Sequence, residues 1–130
     1  MSQETTQHLA GFASSLTIDG LQEHVRDSAK LLLLDALACA LAGHKGEETS
    51  QMRAMADALG QADDISIIGG GKHSLAGATL TNGFLITAVT MCDTHRATLT
   101  HITPEVIPPA LAIAERDGAS GCDLLVAIAA

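Results

Sequence analysis

One short stretch, residues 92–101, holds most of the side chains that could perform chemistry. It reads Cys-Asp-Thr-His-Arg-Ala-Thr-Leu-Thr-His and supplies two imidazoles, a carboxylate, a guanidinium and several hydroxyls. Imidazoles transfer protons near neutral pH, and a guanidinium binds carboxylates, so the stretch predicts acid–base chemistry on an anionic substrate. It lies between two helical patterns, in the kind of loop that usually carries functional groups.

His95 and His101 are the candidate proton-transfer residues, and Asp93 is a candidate to orient His95 or to carry a proton itself. Arg96 could form a forked hydrogen bond with a substrate carboxylate. The alternative is an exposed loop in which Asp93 and Arg96 form a surface ion pair that contributes under about 1 kcal/mol.

Two other chemistries remain open for the same residues. Asp93, His95 and His101 supply two histidines and one carboxylate, a ligand set that suits ferrous iron or zinc, although their spacing is not diagnostic. The Cys92 thiol could act as a nucleophile, but no base has a fixed spacing to it, and buried cysteines commonly only pack.

The composition excludes several classes of function. A net charge of −8 opposes binding to a phosphate backbone, so we expect no nucleic-acid partner. Three widely spaced cysteines indicate neither a disulfide framework nor a zinc knuckle, and no signal peptide is visible, which predicts a cytoplasmic protein. The uncharged residues 74–92 contain too many hydroxyls and amides for a membrane span, so we expect no membrane partner.

Hydrophobic periodicity predicts an all-α, mainly helical fold with at most one short strand, near residues 64–68. The first helix is expected to cover the core, and the apolar second half of the second helix, residues 31–42, to be buried. Asp35 in that half is expected to have a structural rather than a catalytic role. The predicted helices are 5–14, 21–42, 46–60, 74–92, 103–117 and one that starts near 122.

Particular residues are expected to start or end these helices or to form turns and close contacts between them. Gly43 is expected to end its helix as a C′ residue, and Thr103 to cap the next long helix with Pro104 at its first position. Gly77 and Gly83 within a helix suggest close approach of another backbone. The glycines at 69–71 predict a turn rather than a phosphate loop, whose pattern fails at two positions.

The chain ends in an apolar run, residues 122–130, with no helix stop signal. We therefore expect a fragment of a longer protein. The alternative from another class of function is a non-catalytic helical domain whose apolar run serves self-association.

Several motifs in order resemble the N-terminal part of the 2-methylcitrate dehydratase (MmgE/PrpD) family. They are residues 33–43, the segment Ala-Thr-Leu-Thr-Asn-Gly at 78–83, residues 92–95, His101, and residues 106–115. The family comprises larger enzymes with a helical domain and a lid domain, including 2-methylcitrate dehydratases, cis-aconitate decarboxylases and iminodisuccinate epimerases. Residues 1–130 would then be a partial N-terminal helical domain.

This resemblance implies a lyase that eliminates water from a small polycarboxylate by acid–base chemistry, with no metal or other cofactor, as a homodimer. Epimerisation or decarboxylation within the same family is the alternative. The 130-residue chain alone is expected to be inactive, because the lid is missing.

The resemblance also assigns site residues. His101 matches the family's catalytic loop histidine, Asp93-Thr94 matches the second half of its D-x-D-D-T segment, and Asn82 lies in its N-G pair. The chain departs from the family at Thr87, Thr90 and Cys92, which replace a histidine and two acids. The expected catalytic residues are His101, Asp93 and His95, and the expected substrate-binding residues are Thr94, Arg96, Thr90 and Asn82.

Overall fold

A computed structural model of the chain describes residues 3–130 and confirms a mainly helical fold. Six α-helices and one small antiparallel hairpin follow each other in the described part of the chain. Their bounds are α1 Gln3–Ser15, α2 Glu23–Gly43, α3 Thr49–Ala58, β1 Ile65–Ser66, β2 Lys72–His73, α4 Leu75–Thr87, α5 Thr103–Asp117 and α6 Gly121–Ala129, with a 3-10 turn at Ile18–Gly20 before α2.

Helix α4 lies at the centre of the molecule and packs against α2, α3 and α5. This position explains its lack of charge, since Ala78, Leu85 and Ile86 are fully buried. Ser74 starts the helix with a side-chain cap on the amide of Gly77. The helix ends at Thr87, before the uncharged run ends.

Glycines allow the helices to approach α4 closely. A Cβ at Gly43 would overlap the backbone carbonyl of Leu85, so this glycine serves the α2–α4 contact, and its predicted role as a left-handed C′ residue is wrong. A Cβ at Gly83 would lie 3.1 Å from the carbonyl oxygen of Pro104 in α5, as expected for a close backbone. Gly77 instead faces a side chain, the imidazole of His73.

The hairpin contains a second strand that the sequence did not predict. Ile65 pairs with His73 and Ser66 pairs with Lys72. The three glycines at 69–71 all have positive φ, between 89° and 132°, and form the predicted turn. A two-residue strand is too short to show an alternating hydrophobic pattern, and for this reason Lys72–His73 was missed.

Helix α5 starts differently from the prediction, and α6 starts with a motif that the sequence analysis did not name. Thr103 is the first residue of α5 and not its cap; its hydroxyl donates to the Asp93 carboxylate. Helix α5 ends at Asp117 and is followed by Gly118, which has the left-handed φ of 63°. Helix α6 begins with a capping box, in which Ser120 and Asp123 each accept from the other's backbone amide.

Two predictions about buried surfaces are wrong. All the described side chains of α1 are exposed, including Leu9 and Phe12, so α1 does not cover the core. In α2 the large residues Leu31 and Leu34 are 66% and 64% exposed. Helix α2 packs against α4, α5 and α6 and buries its small residues instead; they are Ala29, Ala36, Cys39, Ala40 and Gly43.

Within residues 3–130, we find no helix with both the length and the apolar character required to cross a membrane.

Candidate functional site

The candidate site is the loop at 88–102, which joins α4 to α5. Two of its residues, Thr90 and Leu99, have left-handed backbones although neither is a glycine, with φ of 50° and 54°. Such residues are strained and persist only where the surrounding structure holds them, often at functional sites. The amide of His95 donates to the carbonyl of Thr100 at 2.8 Å, which closes the tip of the loop.

The orientation of His101 is defined by one short hydrogen bond. Its Nδ1 lies 2.7 Å from the backbone carbonyl oxygen of Asp93. A carbonyl oxygen only accepts, so Nδ1 carries a proton, and in the neutral ring Nε2 keeps its lone pair. Among the described residues nothing hydrogen-bonds to Nε2, and the residue is exposed. His101 therefore has the geometry of a base directed at solvent.

Two further groups approach the same nitrogen of His101. The Sγ of Cys92 lies 3.6 Å from Nδ1 and the Oγ1 of Thr94 lies 3.4 Å from it. Cys92 is 9% exposed, and burial, together with the nearby charge of Asp93, raises the pKa of its thiol. A protonated thiol is a poor nucleophile, so this environment does not favour covalent catalysis by Cys92.

The Asp93 carboxylate is occupied by the start of α5. It accepts from the amides of Ile102 and Thr103, at 3.2 and 2.9 Å, and from the Thr103 hydroxyl. Burial alone would raise the pKa of Asp93, but these hydrogen bonds and the nearby His101 outweigh it, and the pKa is lowered. A negative charge at a helix N-terminus is further favoured by the helix dipole.

His95 and Arg96 do not join the contacts of His101. The His95 Nδ1 lies 2.8 Å from the Thr98 hydroxyl, and no hydrogen bond or ion pair in residues 3–130 links His95 to His101 or to the Asp93 carboxylate. Arg96 is exposed and forms no ion pair with a described residue, so the Asp93–Arg96 surface pair is absent there. Nor do those residues contain a group of three His, Cys, Asp or Glu side chains able to hold a metal.

Asn82 lies in the core, away from the loop. It is 2% exposed, and its amide accepts from Ile68 N at 2.9 Å and donates to Ser66 O at 3.1 Å. These bonds fix the hairpin to α4, and the geometry favours packing over substrate contact.

Thr87 donates to the carbonyl of Phe84 in its own helix at 3.0 Å. Asp35 is exposed, and its carboxylate is 4.0 Å from the thiol of Cys39.

A buried histidine, His73, pairs with the exposed carboxylate of Asp57, and the sequence did not predict this pair. His73 is 8% exposed; its Nε2 lies 3.0 Å from Asp57 Oδ1, and its Nδ1 accepts from the Ser74 amide at 2.9 Å. The pair lines a polar cavity of about 310 Å³ together with Lys72 and Asp63. The partners are sixteen residues apart on different elements, so no local spacing reveals them.

An apolar groove of about 610 Å³ lies between α5 and α6, and none of its lining residues belongs to the loop at 88–102. Val106, Pro109, Ile113 and Leu124 supply much of the lining. The groove is thus separate from the histidine site, and the site itself is open to solvent.

The fold and the candidate site together define a mainly helical domain with a histidine-containing loop between two packed helices. Comparisons with known proteins identify the family of this domain. The family model of the MmgE/PrpD N-terminal domain matches residues 7–130, and the chain therefore belongs to the MmgE/PrpD family. It is 30% identical, over 131 aligned positions, to the cis-aconitate decarboxylase-like protein oryM of Aspergillus oryzae. The alignment covers 95% of this chain and 27% of that protein, so the chain spans about a quarter of this relative. No solved structure matches the chain.

Proposed function

We propose that this chain is the N-terminal part of a lyase that removes a proton beside a carboxylate of a small polycarboxylate and eliminates water. The observation that carries this proposal is the 2.7 Å hydrogen bond from His101 Nδ1 to the Asp93 carbonyl. It leaves the Nε2 lone pair free, and an imidazole with a free lone pair is suited to this proton transfer. Membership of a family of this chemistry supports the same assignment.

The substrate contacts in this proposal come from exposed groups of the same loop. Arg96 has no ion pair with a described residue, so its guanidinium is available to a substrate carboxylate. The hydroxyls of Thr90 and Thr94 are available for the leaving hydroxyl or a second carboxylate. His95 lies at the loop tip and would act as a second proton carrier or as a donor to substrate.

The activity belongs to a longer protein in this proposal. The loop at 88–102 is exposed on one side, whereas elimination chemistry requires a site that excludes water. We expect the 130-residue chain to be inactive by itself, the complete enzyme to be a homodimer, and no metal or cofactor to take part. The three cysteines are free in the structure, which suits a reducing compartment such as the cytoplasm.

The test uses the full-length protein with citrate, 2-methylcitrate and cis-aconitate as substrates. We expect an unsaturated product from 2-methylcitrate, detected by ultraviolet absorbance, and a fall in kcat of about 10²–10⁴-fold for His101→Ala. His24→Ala is the matched control, because His24 is an exposed imidazole on α2 outside the loop. Unchanged turnover in His101→Ala would remove this residue from the mechanism. Release of CO₂ without dehydration would assign decarboxylation instead.

A further inference from the structure

We propose that Asp93 is a positioning residue, which holds the ring of His101 and fixes its tautomer, rather than a group that exchanges protons with substrate. This inference rests on the proposed function of His101 as the base. Of the two roles that the sequence leaves open for Asp93, orienting a histidine or carrying a proton, it selects the first, and the histidine is His101 instead of His95.

The first observation is that the Asp93 carboxylate is engaged on both oxygens. Oδ2 accepts from the Ile102 amide, and Oδ1 accepts from the amide and the hydroxyl of Thr103. Thr103 is 1% exposed, so this contact is buried on the α5 side. A carboxylate that accepts several hydrogen bonds at a helix N-terminus is stabilised in its charged form, so it stays ionised, carries no proton to donate and is a weak base.

The second observation is that the backbone of the same residue holds the base. The Asp93 carbonyl accepts from His101 Nδ1, while the Asp93 side chain holds the two residues that follow His101 in the chain. One residue thus fixes both the imidazole and the backbone that carries it. A shift of Asp93 would move the ring relative to any bound substrate.

The third observation concerns the groups that would contact Nδ1 of His101 if the Asp93 carbonyl moved away from it. The thiol of Cys92 and the hydroxyl of Thr94 are the other groups near Nδ1, at 3.6 and 3.4 Å. Both can donate a hydrogen bond, unlike a carbonyl. Contact with either donor would favour a proton on Nε2 and a lone pair on Nδ1. The ring would then present a donor, not a base, to solvent.

The direct test is the tautomer of His101, measured by ¹⁵N NMR of the imidazole nitrogens in the full chain. We expect the Nδ1–H form in the unmodified protein and a several-fold larger population of the Nε2–H form in Asp93→Asn and Asp93→Ala. Asp123→Ala is the matched control, because it removes a carboxylate cap from α6, whose capping contacts lie outside the loop. It should leave the His101 tautomer unchanged.

Kinetics of the full-length protein provide the second readout. We expect Asp93→Asn to lower kcat by about 10–100-fold, as for a misplaced catalytic group, with little change in KM. Thr103→Val should act in the same direction by loosening the Asp93 carboxylate, and Thr103→Ser, which retains the hydroxyl, should restore the rate. The Thr103 variants keep the test valid if Asp93→Asn does not fold.

The two proposals fail in different ways. An unmodified protein with the Nδ1–H tautomer but no turnover refutes the proposed function and leaves the positioning role in place. An active protein in which Asp93→Asn changes neither tautomer nor kcat refutes the positioning role. Loss of one ionisation from the pH–rate profile of Asp93→Asn, with activity abolished, would show that Asp93 exchanges protons and would also overturn it.

Discussion

The Cα of Gly43, the last residue of α2, faces the backbone carbonyl of Leu85 in α4 so closely that a methyl group on Gly43 would overlap it. Leu85 is completely buried at the centre of the core. The α2–α4 contact therefore depends on the absence of a side chain at Gly43. The atoms that an added methyl group would overlap belong to the backbone of Leu85, and a change of side-chain rotamer cannot move them.

Gly43→Ala should destabilise the fold by about 1–3 kcal/mol, the usual effect of overpacking. The sign is informative, because alanine normally stabilises a helix by up to about 1 kcal/mol relative to glycine. Gly11→Ala in α1 is the control, since apart from its chain neighbours and the adjacent backbone of its own helix no described atom lies within 4 Å of the added methyl group, and it should be neutral or stabilising. Urea unfolding of both variants provides the comparison, and a stabilising Gly43→Ala would show that the close contact is wrong.

Asn82→Ala should destabilise the fold by about 1–3 kcal/mol, because it leaves the Ile68 amide and the Ser66 carbonyl without their partner. Hydrogen exchange at the Ile68 amide should become faster while exchange within α4 changes less. Thr79→Ala is the control, since its hydroxyl only bonds to the Leu75 carbonyl of the same helix. Equal effects of the two variants on the Ile68 amide would contradict the role assigned to Asn82.

Much of the helical architecture could be predicted from sequence, and the reason is visible in α4. An uncharged segment with a serine cap and small residues favours a helix packed in the core, and the complete burial of Leu85 and Ile86 confirms this for α4. The exposure of Leu31 and Leu34 could not be predicted in the same way. The hydrophobicity of a side chain predicts that it favours burial, but it does not predict whether another part of the protein is present to cover that side chain.

The candidate site was located by its composition, but its internal contacts were not. The residue types of His101 and Asp93 and their place in a loop predict a functional role for both. The contact between them is made by a backbone carbonyl, and side-chain identity cannot predict such a bond. The engagement of the Asp93 carboxylate with Thr103 depends on the chain turning back ten residues later. His73 and Asp57 illustrate the same limit at longer range.

Asp93 should contribute to a loss of stability in acid. Hydrogen bonds from Thr103 and Ile102, together with the nearby His101, lower its pKa below the ordinary value of 3.8 despite burial. A depressed folded-state pKa means that the stabilisation is fully present above about pH 3.8 and is lost as the pH falls through the lower, folded value. Asp93→Ala should therefore be less stable than the unmodified chain by about 0.5–2 kcal/mol at pH 7, with the difference shrinking in acid. Urea titrations at pH 7, 4 and 2.5 measure this, and a constant difference would contradict it.

Replacing both Leu31 and Leu34 by lysine should reduce self-association of the chain without lowering its stability. Both side chains are more than 60% exposed, and exposed apolar surface promotes association. The substitution also makes the net charge less negative than −8, which weakens repulsion between copies, so a loss of association would come from the lost apolar contact. Ser50→Lys with Ala54→Lys adds the same charge at exposed positions of α3 and serves as the control. Sedimentation velocity over a range of concentrations measures both, and equal association of the two double variants would show that this face of α2 is not the contact.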